Sequence, residues 1–231
     1  MHASAGKIAV TSVTPESHPK AYLRGEEAPV RPTEVLKNEH RVIELVLDCL
    51  DAMAIRCESD GRLDGDSARE AIDFFRTFAD RCHHAKEENQ LFPLMEARGF
   101  DANAGPTAVM RHEHVEGRAY VAAMERAVPG ASAGDPAERA RWIEAARGYS
   151  FMLREHIDKE DHCLVPMADQ GLLATDVARL TEDFVRVERD EFGPGVHERY
   201  VALADALADR FGVSKEGVPD AARTCGCSGQ H

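Results

Sequence analysis

The chain has 231 residues, 28 of them Lys or Arg and 41 Asp or Glu, for a formal net charge of −13. That length accommodates one domain or two small ones with a sizeable buried core. So acidic a surface repels phosphate backbones and anionic headgroups, and no run of Lys and Arg reverses it locally, which argues against nucleic-acid and membrane partners.

Residues 1–31 hold three prolines, small polar residues and no sustained apolar period, so they read as a disordered tail that includes His2 and His18. From Pro32 the pattern is helical. Thr33 is placed to cap a first helix over about 33–58, with an apolar stripe of Leu36, Ile43, Leu47, Leu50 and Ala54. Ser67 and Glu70 have capping-box spacing and open a second helix over about 67–98, in which Pro93 is expected to kink the last turns. Gly105-Pro106 opens a third helix and Pro129-Gly130 is expected to close it. Asp135-Pro136 starts a fourth that reaches Pro166 and stops by Gly171. Two shorter helices follow, about 175–192 and 195–211. Strand signals are absent.

The expected fold is therefore all-α. Residues 32–171 form an up-down-up-down four-helix bundle, 172–212 two accessory helices, and 213–231 a flexible tail with Cys225-Gly226-Cys227 and His231. The apolar runs fall far short of the ~20 residues a spanning helix needs, and no signal-peptide-like apolar region opens the chain, so a cytoplasmic location is expected. Six cysteines are too sparse for a disulfide scaffold, and Cys82 and Cys163 read as helix-packing thiols. The eleven histidines are the feature that needs explaining.

An internal repeat carries many of them. The segment 86-KEENQLFP-93 returns as 159-KEDHCLVP-166, 73 positions later. In that register His83 matches His156 and Glu87 matches Glu160. At an offset of 74, His40 matches His114, each preceded by glutamate (Glu39, Glu113). Each half thus supplies one His on its first helix and an HxxxE pair on its second. Residues four apart on a helix share a face, so each HxxxE aims an imidazole and a carboxylate at one point. His40 and His114 lie on the apolar stripes of their helices, which turns all six groups inward. Unpaired carboxylates in a dry interior are very costly, and bound cations relieve that cost. Four imidazoles and two carboxylates suit two first-row transition ions with each carboxylate bridging both, at the ~3.5–4 Å separation of two-metal sites.

At these residues the chain resembles the haemerythrin-like family with the HHE cation-binding signature, in the subgroup with ligand order H, HxxxE, H, HxxxE. The resemblance covers about residues 33–168, and its most specific parts are the two KE-x-x-x-L-x-P segments. It implies His40, His83, Glu87, His114, His156 and Glu160 as metal ligands, with no catalytic residue beyond them. The implied cofactor is two iron ions, oxo- or hydroxo-bridged and further bridged by Glu87 and Glu160. Oxygen-carrying haemerythrins have a fifth histidine four residues after the third-helix ligand, whereas here that position is Arg118. A missing terminal ligand leaves an open position, which favours reaction with small oxidants or nitric oxide over reversible oxygen carriage.

Neighbouring residues are set aside. His84 forms a second HxxxE pair with Glu88 but falls about 100° around an ideal α-helix from His83. His112 and His162 read as surface residues and Tyr149 as core packing. A ferritin-like oxidase needs ExxH pairs, and no histidine has a glutamate three residues before it. The expected function is a non-haem di-iron protein acting on oxygen, peroxide or nitric oxide under oxidative stress, with peroxide disproportionation its enzymatic form. The alternative is a non-enzymatic oxygen or nitric-oxide sensor, or an iron donor for repair of iron centres.

Overall fold

The structure is a computed structural model describing residues 30–223; His2, His18, Cys225, Cys227 and His231 lie outside the described residues. Among those residues there is no strand. Helix α1 spans Pro32–Asp60. Helix α2 starts at Gly65–Phe74 and continues through π-helical stretches Phe75–His84 and Glu87–Leu91 into Phe92–Ala97. Helix α3 is Pro106–Ser132. Helix α4 is Pro136–Lys159, extended by a π turn at Glu160–Leu164 and by Val165–Gly171. Helix α5 is Ala174–Val187, with a π turn at Glu188–Phe192, and α6 is Val196–Phe211. Short links make α1 to α4 antiparallel neighbours, as expected, while α6 packs on α1 and α2. No helix among the described residues is long and apolar enough to cross a membrane.

Local chemistry moves several boundaries. Pro32, with its preset φ, occupies the first helical position of α1, and the cap is the extended Arg31. Thr33 is thereby released, and its hydroxyl donates to Asp169 Oδ1 at 3.0 Å, pinning the start of α1 to the end of α4. Asp64, not Ser67, caps α2: it accepts from the Ser67 N–H at 3.3 Å and the Ser67 hydroxyl at 2.7 Å. Helix α3 passes through Pro129 to Ser132, because burial of Val128 and Ala131 outweighs one lost backbone bond so near its end. Asp135 caps α4 as expected, accepting from Ala137 N and Glu138 N. Residues 213–223, expected to begin a flexible tail, fold back instead. Val213 and Val218 pack against the core, Ala222 is buried, and His197 Nε2 donates to its carbonyl at 3.1 Å.

Two wide turns fall where the repeat places prolines. Pro93 and Pro166 have no N–H to donate, and their rings crowd the preceding turn. One turn earlier the ladder widens, so Phe92 N donates to the Glu87 carbonyl and Val165 N to that of Glu160. Such π turns gather at functional sites. Here they start at the repeated glutamates.

The core lies in two layers. The larger one runs through the middle of the bundle, with Val42, Ile43, Phe78, Ala79, Val121, Leu153 and Ile157 at its upper edge. The smaller is built from Leu36, Leu91, Met110, Leu164 and their neighbours, including Leu180 and Phe184 of α5. On each of the four bundle helices the histidines and glutamates of the repeat fall between these layers, so a polar plane is sealed above and below by apolar side chains.

Candidate metal centre

His40 and His114 each lie eight residues after the proline that opens their helix, which sets both at one level of the antiparallel bundle. The HxxxE pairs of α2 and α4 arrive at the same level from the other direction. His40, His83, Glu87, His114, His156 and Glu160 are all buried. Their ring nitrogens meet in two pairs: His40 and His83 Nε2 are 3.0 Å apart, and His114 and His156 Nε2 are 3.1 Å apart.

The two carboxylates lie between the pairs and reach both. Glu87 directs Oε1 towards His83 Nε2 at 3.8 Å and Oε2 towards His114 Nε2 at 3.5 Å. Glu160 directs Oε2 towards His40 Nε2 at 3.1 Å and Oε1 towards His156 Nε2 at 3.3 Å. Glu87 Oε2 and both oxygens of Glu160 are buried without a hydrogen bond. Orphaned carboxylate oxygens buried among imidazole nitrogens form a donor set for cations of the imidazole- and carboxylate-binding kind.

Outside this ring of donors, every one of the four histidines has its other nitrogen on a carboxylate. His40 Nδ1 donates to Asp161 Oδ1 at 2.8 Å and His83 Nδ1 to Glu39 Oε2 at 2.9 Å. His114 Nδ1 donates to Glu88 Oε1 at 2.6 Å and His156 Nδ1 to Glu113 Oε2 at 2.9 Å. A carboxylate on Nδ1 holds the proton there, fixes the ring, and turns the Nε2 lone pair inward, which is how metal-ligating histidines are oriented. Lysines back two of these acids. Lys86, fully buried, pairs with Glu39 and with Glu188 from the end of α5, whereas Lys159 pairs with Glu113 at the surface.

The electrostatics follow from burial. Burial lifts the Glu87 carboxyl well above the usual range, and the facing Glu160 charge adds to this. Burial opposes ionisation of Glu160 too, but His156 and His40 more than offset it and hold that carboxyl low. Burial lowers His83 to about 4 against the pull of Glu39, and it lowers His114 well below its ordinary value, helped by the neighbouring imidazoles. For His40 burial is outweighed by Asp161 and Glu160, which raise it to about 9.

The sequence set aside two residues that the structure brings to the centre. His84 is buried with its ring stacked on that of His114, centroids 3.7 Å apart and planes at 13°. Donor atoms of His84, Glu87, His114 and His156 all lie within 4.8 Å of one another, as do those of His40, His83, Glu87 and Glu160. Glu88, the other member of that discarded pair, holds His114. Burial at the His84 position is common to both copies of the repeat, since its counterpart Ile157, beside His156 on α-helical α4, is buried as well. The outer acids were legible: Glu88 and Asp161 obey the 73-residue register, and Glu39 and Glu113 precede the first-helix histidines. Cys163, expected to pack between helices, is exposed, in contrast to buried Cys82. His112 and His162 are exposed, and Tyr149 is a core ring set edge-on to Phe75 at 4.8 Å, as expected.

A cavity of about 200 Å³ opens beside His84, lined by Arg76, Asp80, Gly117, Arg118, Val121 and Tyr149. Arg118 does not reach the donor ring. Its guanidinium donates to Asp80 Oδ1 at 2.8 Å and to Glu88 Oε1 at 2.9 Å.

Comparison with known proteins bears on this centre directly. No solved structure matches the chain. Two curated relatives, Rv1995 of Mycobacterium tuberculosis and Mb2018 of Mycobacterium bovis, both described as uncharacterized proteins, are 26% identical over 184 residues, covering 80% of this chain and 70% of theirs. Residues 23–168 match the family described as the hemerythrin HHE cation binding domain, a span that takes in all six inward-facing donors. Sequence family and donor geometry agree, and the chain belongs to the haemerythrin HHE cation-binding family.

Proposed function

We propose that the protein holds two iron ions and reacts with small oxidants or nitrogen oxides, with peroxide disproportionation as the enzymatic form. His40 and His83 would hold one ion and His114 and His156 the other, and Glu87 and Glu160 would serve both. The observation that carries this reading is the splayed pair of carboxylates, whose four oxygens each face an imidazole of a different helix. An iron pair held there would supply redox equivalents. The chain's own residues do the rest. The acids on Nδ1 keep the rings directed inward, the two apolar layers exclude bulk water, and the cavity at Gly117 and Arg118 admits molecules of a few atoms.

The cavity also favours the second reading, gas binding or sensing without turnover. Its charged side chains are already paired, Arg118 with Asp80 and Arg76 with Glu125, so none is a free proton donor or acceptor. The test is reconstitution of the full chain with ferrous iron under anaerobic conditions, followed by metal analysis and an oxygen-electrode assay with peroxide. Two irons per chain and many oxygen molecules evolved per site are the expected result. A yield at or below one per site, with reversible uptake of oxygen or nitric oxide, leaves the binding module. A single zinc or no metal ends the di-iron assignment.

A further inference from the structure

The repeat sets Lys86 and Lys159 in register, but the residues one turn before them differ. Glu155 stands four positions before Lys159, the spacing of an ordinary surface acid and base, and is exposed. Four positions before Lys86 is Cys82, and this pair is enclosed: Cys82 is 5% exposed and Lys86 fully buried. Glu39 of α1 and Glu188 from the end of α5 close over it, both paired with Lys86 Nζ. Cys82 Sγ lies within 4.8 Å of a carboxylate oxygen of each of these acids. Thiol and ammonium thus share one closed compartment. Burial pushes the thiol up to about 12, while the charge of Lys86 and a hydrogen bond from it pull the other way. That bond makes Nζ a direct neighbour of the sulfur.

We propose that Cys82 and Lys86 form a modification site, which peroxide closes into a covalent sulfur–oxygen–nitrogen bridge. The first peroxide gives one oxygen to sulfur: its O–O bond breaks, an S–O bond forms, and the thiol proton leaves in water as Cys82 becomes a sulfenic acid. The Lys86 ammonium passes one proton to Glu188, which leaves a neutral amine. A second peroxide takes two electrons from sulfenic acid and amine together. An O–N bond forms, and the sulfenic proton and one amine proton leave in two further waters. The pair thus consumes two peroxides and releases three waters, and neither metal ion takes part, so the two-ion reading is not required. Enclosure favours the bridge, because the nearest nucleophile for a buried sulfenic acid is the amine beside it. The bridge nitrogen carries no charge. Glu39 and Glu188 then lose the ammonium between them, which loosens the attachment of α5 to α2 until a reductant restores it.

The test is peptide mapping of the full chain, as purified and after chelator treatment, incubated with peroxide and then alkylated at its free thiols. Trypsin cuts after Arg81, Lys86 and Arg98, giving peptides 82–86 and 87–98. The bridge blocks the cut at Lys86. A joined peptide 82–98 then appears, unalkylated at Cys82 and heavier by about 14 Da, for one oxygen gained and two hydrogens lost. Dithiothreitol before digestion returns the two separate peptides, and Cys82→Ser never yields the joined one. Peroxide-treated wild type melts at a lower temperature than untreated protein and recovers on reduction, a reversible shift that Cys82→Ser lacks. Cys82 still open to alkylation in both treated preparations, or taken on to sulfinic acid with normal cleavage at Lys86, overturns the proposal.

Discussion

Glu88 and Asp161, 73 positions apart, each hold a histidine that belongs to the other half of the repeat: Glu88 accepts from His114 and Asp161 from His40. The second helix of each half thus braces the first helix of the other, which locks the two hairpins in one mutual register. Glu88→Gln and Asp161→Asn should each lower metal affinity by about 10- to 100-fold, because the amide no longer fixes the ring tautomer or its basicity. The effects should fall on different ions, so the double variant should weaken both. Cobalt titration with chelator competition reads this directly, and unchanged affinity in either single variant refutes the bracing role.

The repeat shares its lysines but not their surroundings. Lys86 is 0% exposed between Glu39 and Glu188, whereas Lys159 is 41% exposed. Removing one partner of a buried ion pair leaves an uncompensated charge and costs about 3–5 kcal/mol, while a surface pair contributes about 0–1 kcal/mol. Lys86→Met should therefore lower the denaturation midpoint sharply and Lys159→Met hardly at all, as followed by chemical unfolding of the two variants side by side. Comparable losses would show that α5 does not seal the α2 side.

Most of the fold and the inner donors were open to a reader of the sequence, for a definite physical reason. Helix caps, prolines at first positions and a 73-residue repeat are local or periodic signals, and the HxxxE spacing states its face directly. His84 was missed because a step of about 100° around the helix was taken to lead out of the interior, whereas both copies bury the residue after the HxxxE histidine, as His84 and as Ile157. The caps at Thr33 and Ser67 failed similarly: a proline and an aspartate just upstream did the work assigned to them. The role of Glu188 could not be read at all, since its partner Lys86 is 102 residues away and the contact depends on how α5 docks.

Stability of the chelator-treated protein should peak near neutral pH. Glu87 and His40 have pKa values raised by folding, His40 from 6.5 to about 9, so their contribution is present below their unfolded values and lost as pH rises through the folded ones. His83, lowered to about 4, and His84 and His114, also lowered by burial, act at the other end. Their contribution is lost as pH falls below 6.5. Loading with metal displaces the protons from the ligands, so the alkaline decline between about pH 7 and 9 should disappear. Melting temperatures across pH 4–10, with and without metal, check this. An alkaline decline that persists unchanged in the loaded protein refutes it.

Access to the centre should run past Gly117. A Cβ built at this residue would meet Met152 Cε at 3.1 Å and the Tyr149 ring at 3.5 Å, and the glycine lines the cavity beside His84. Met152 offers the far end of a flexible side chain, so Gly117→Ala needs only a small shift of that methyl. Replacing a mid-helix glycine by alanine gains about 0.5–1 kcal/mol of helix stability, and the two effects together should leave α3 intact and the melting temperature equal or slightly higher. Gly117→Val places two further methyl groups into a space of about 200 Å³ and should obstruct it. The loaded Gly117→Val protein should keep both metal ions, since no ligand has changed, yet react with peroxide or nitric oxide about 10-fold more slowly than wild type in stopped-flow absorbance. Gly117→Ala should fall between the two. Equal rates in all three proteins would mean that small molecules reach the donors by another path, and loss of metal from Gly117→Val would mean that the cavity wall is part of the support for His84.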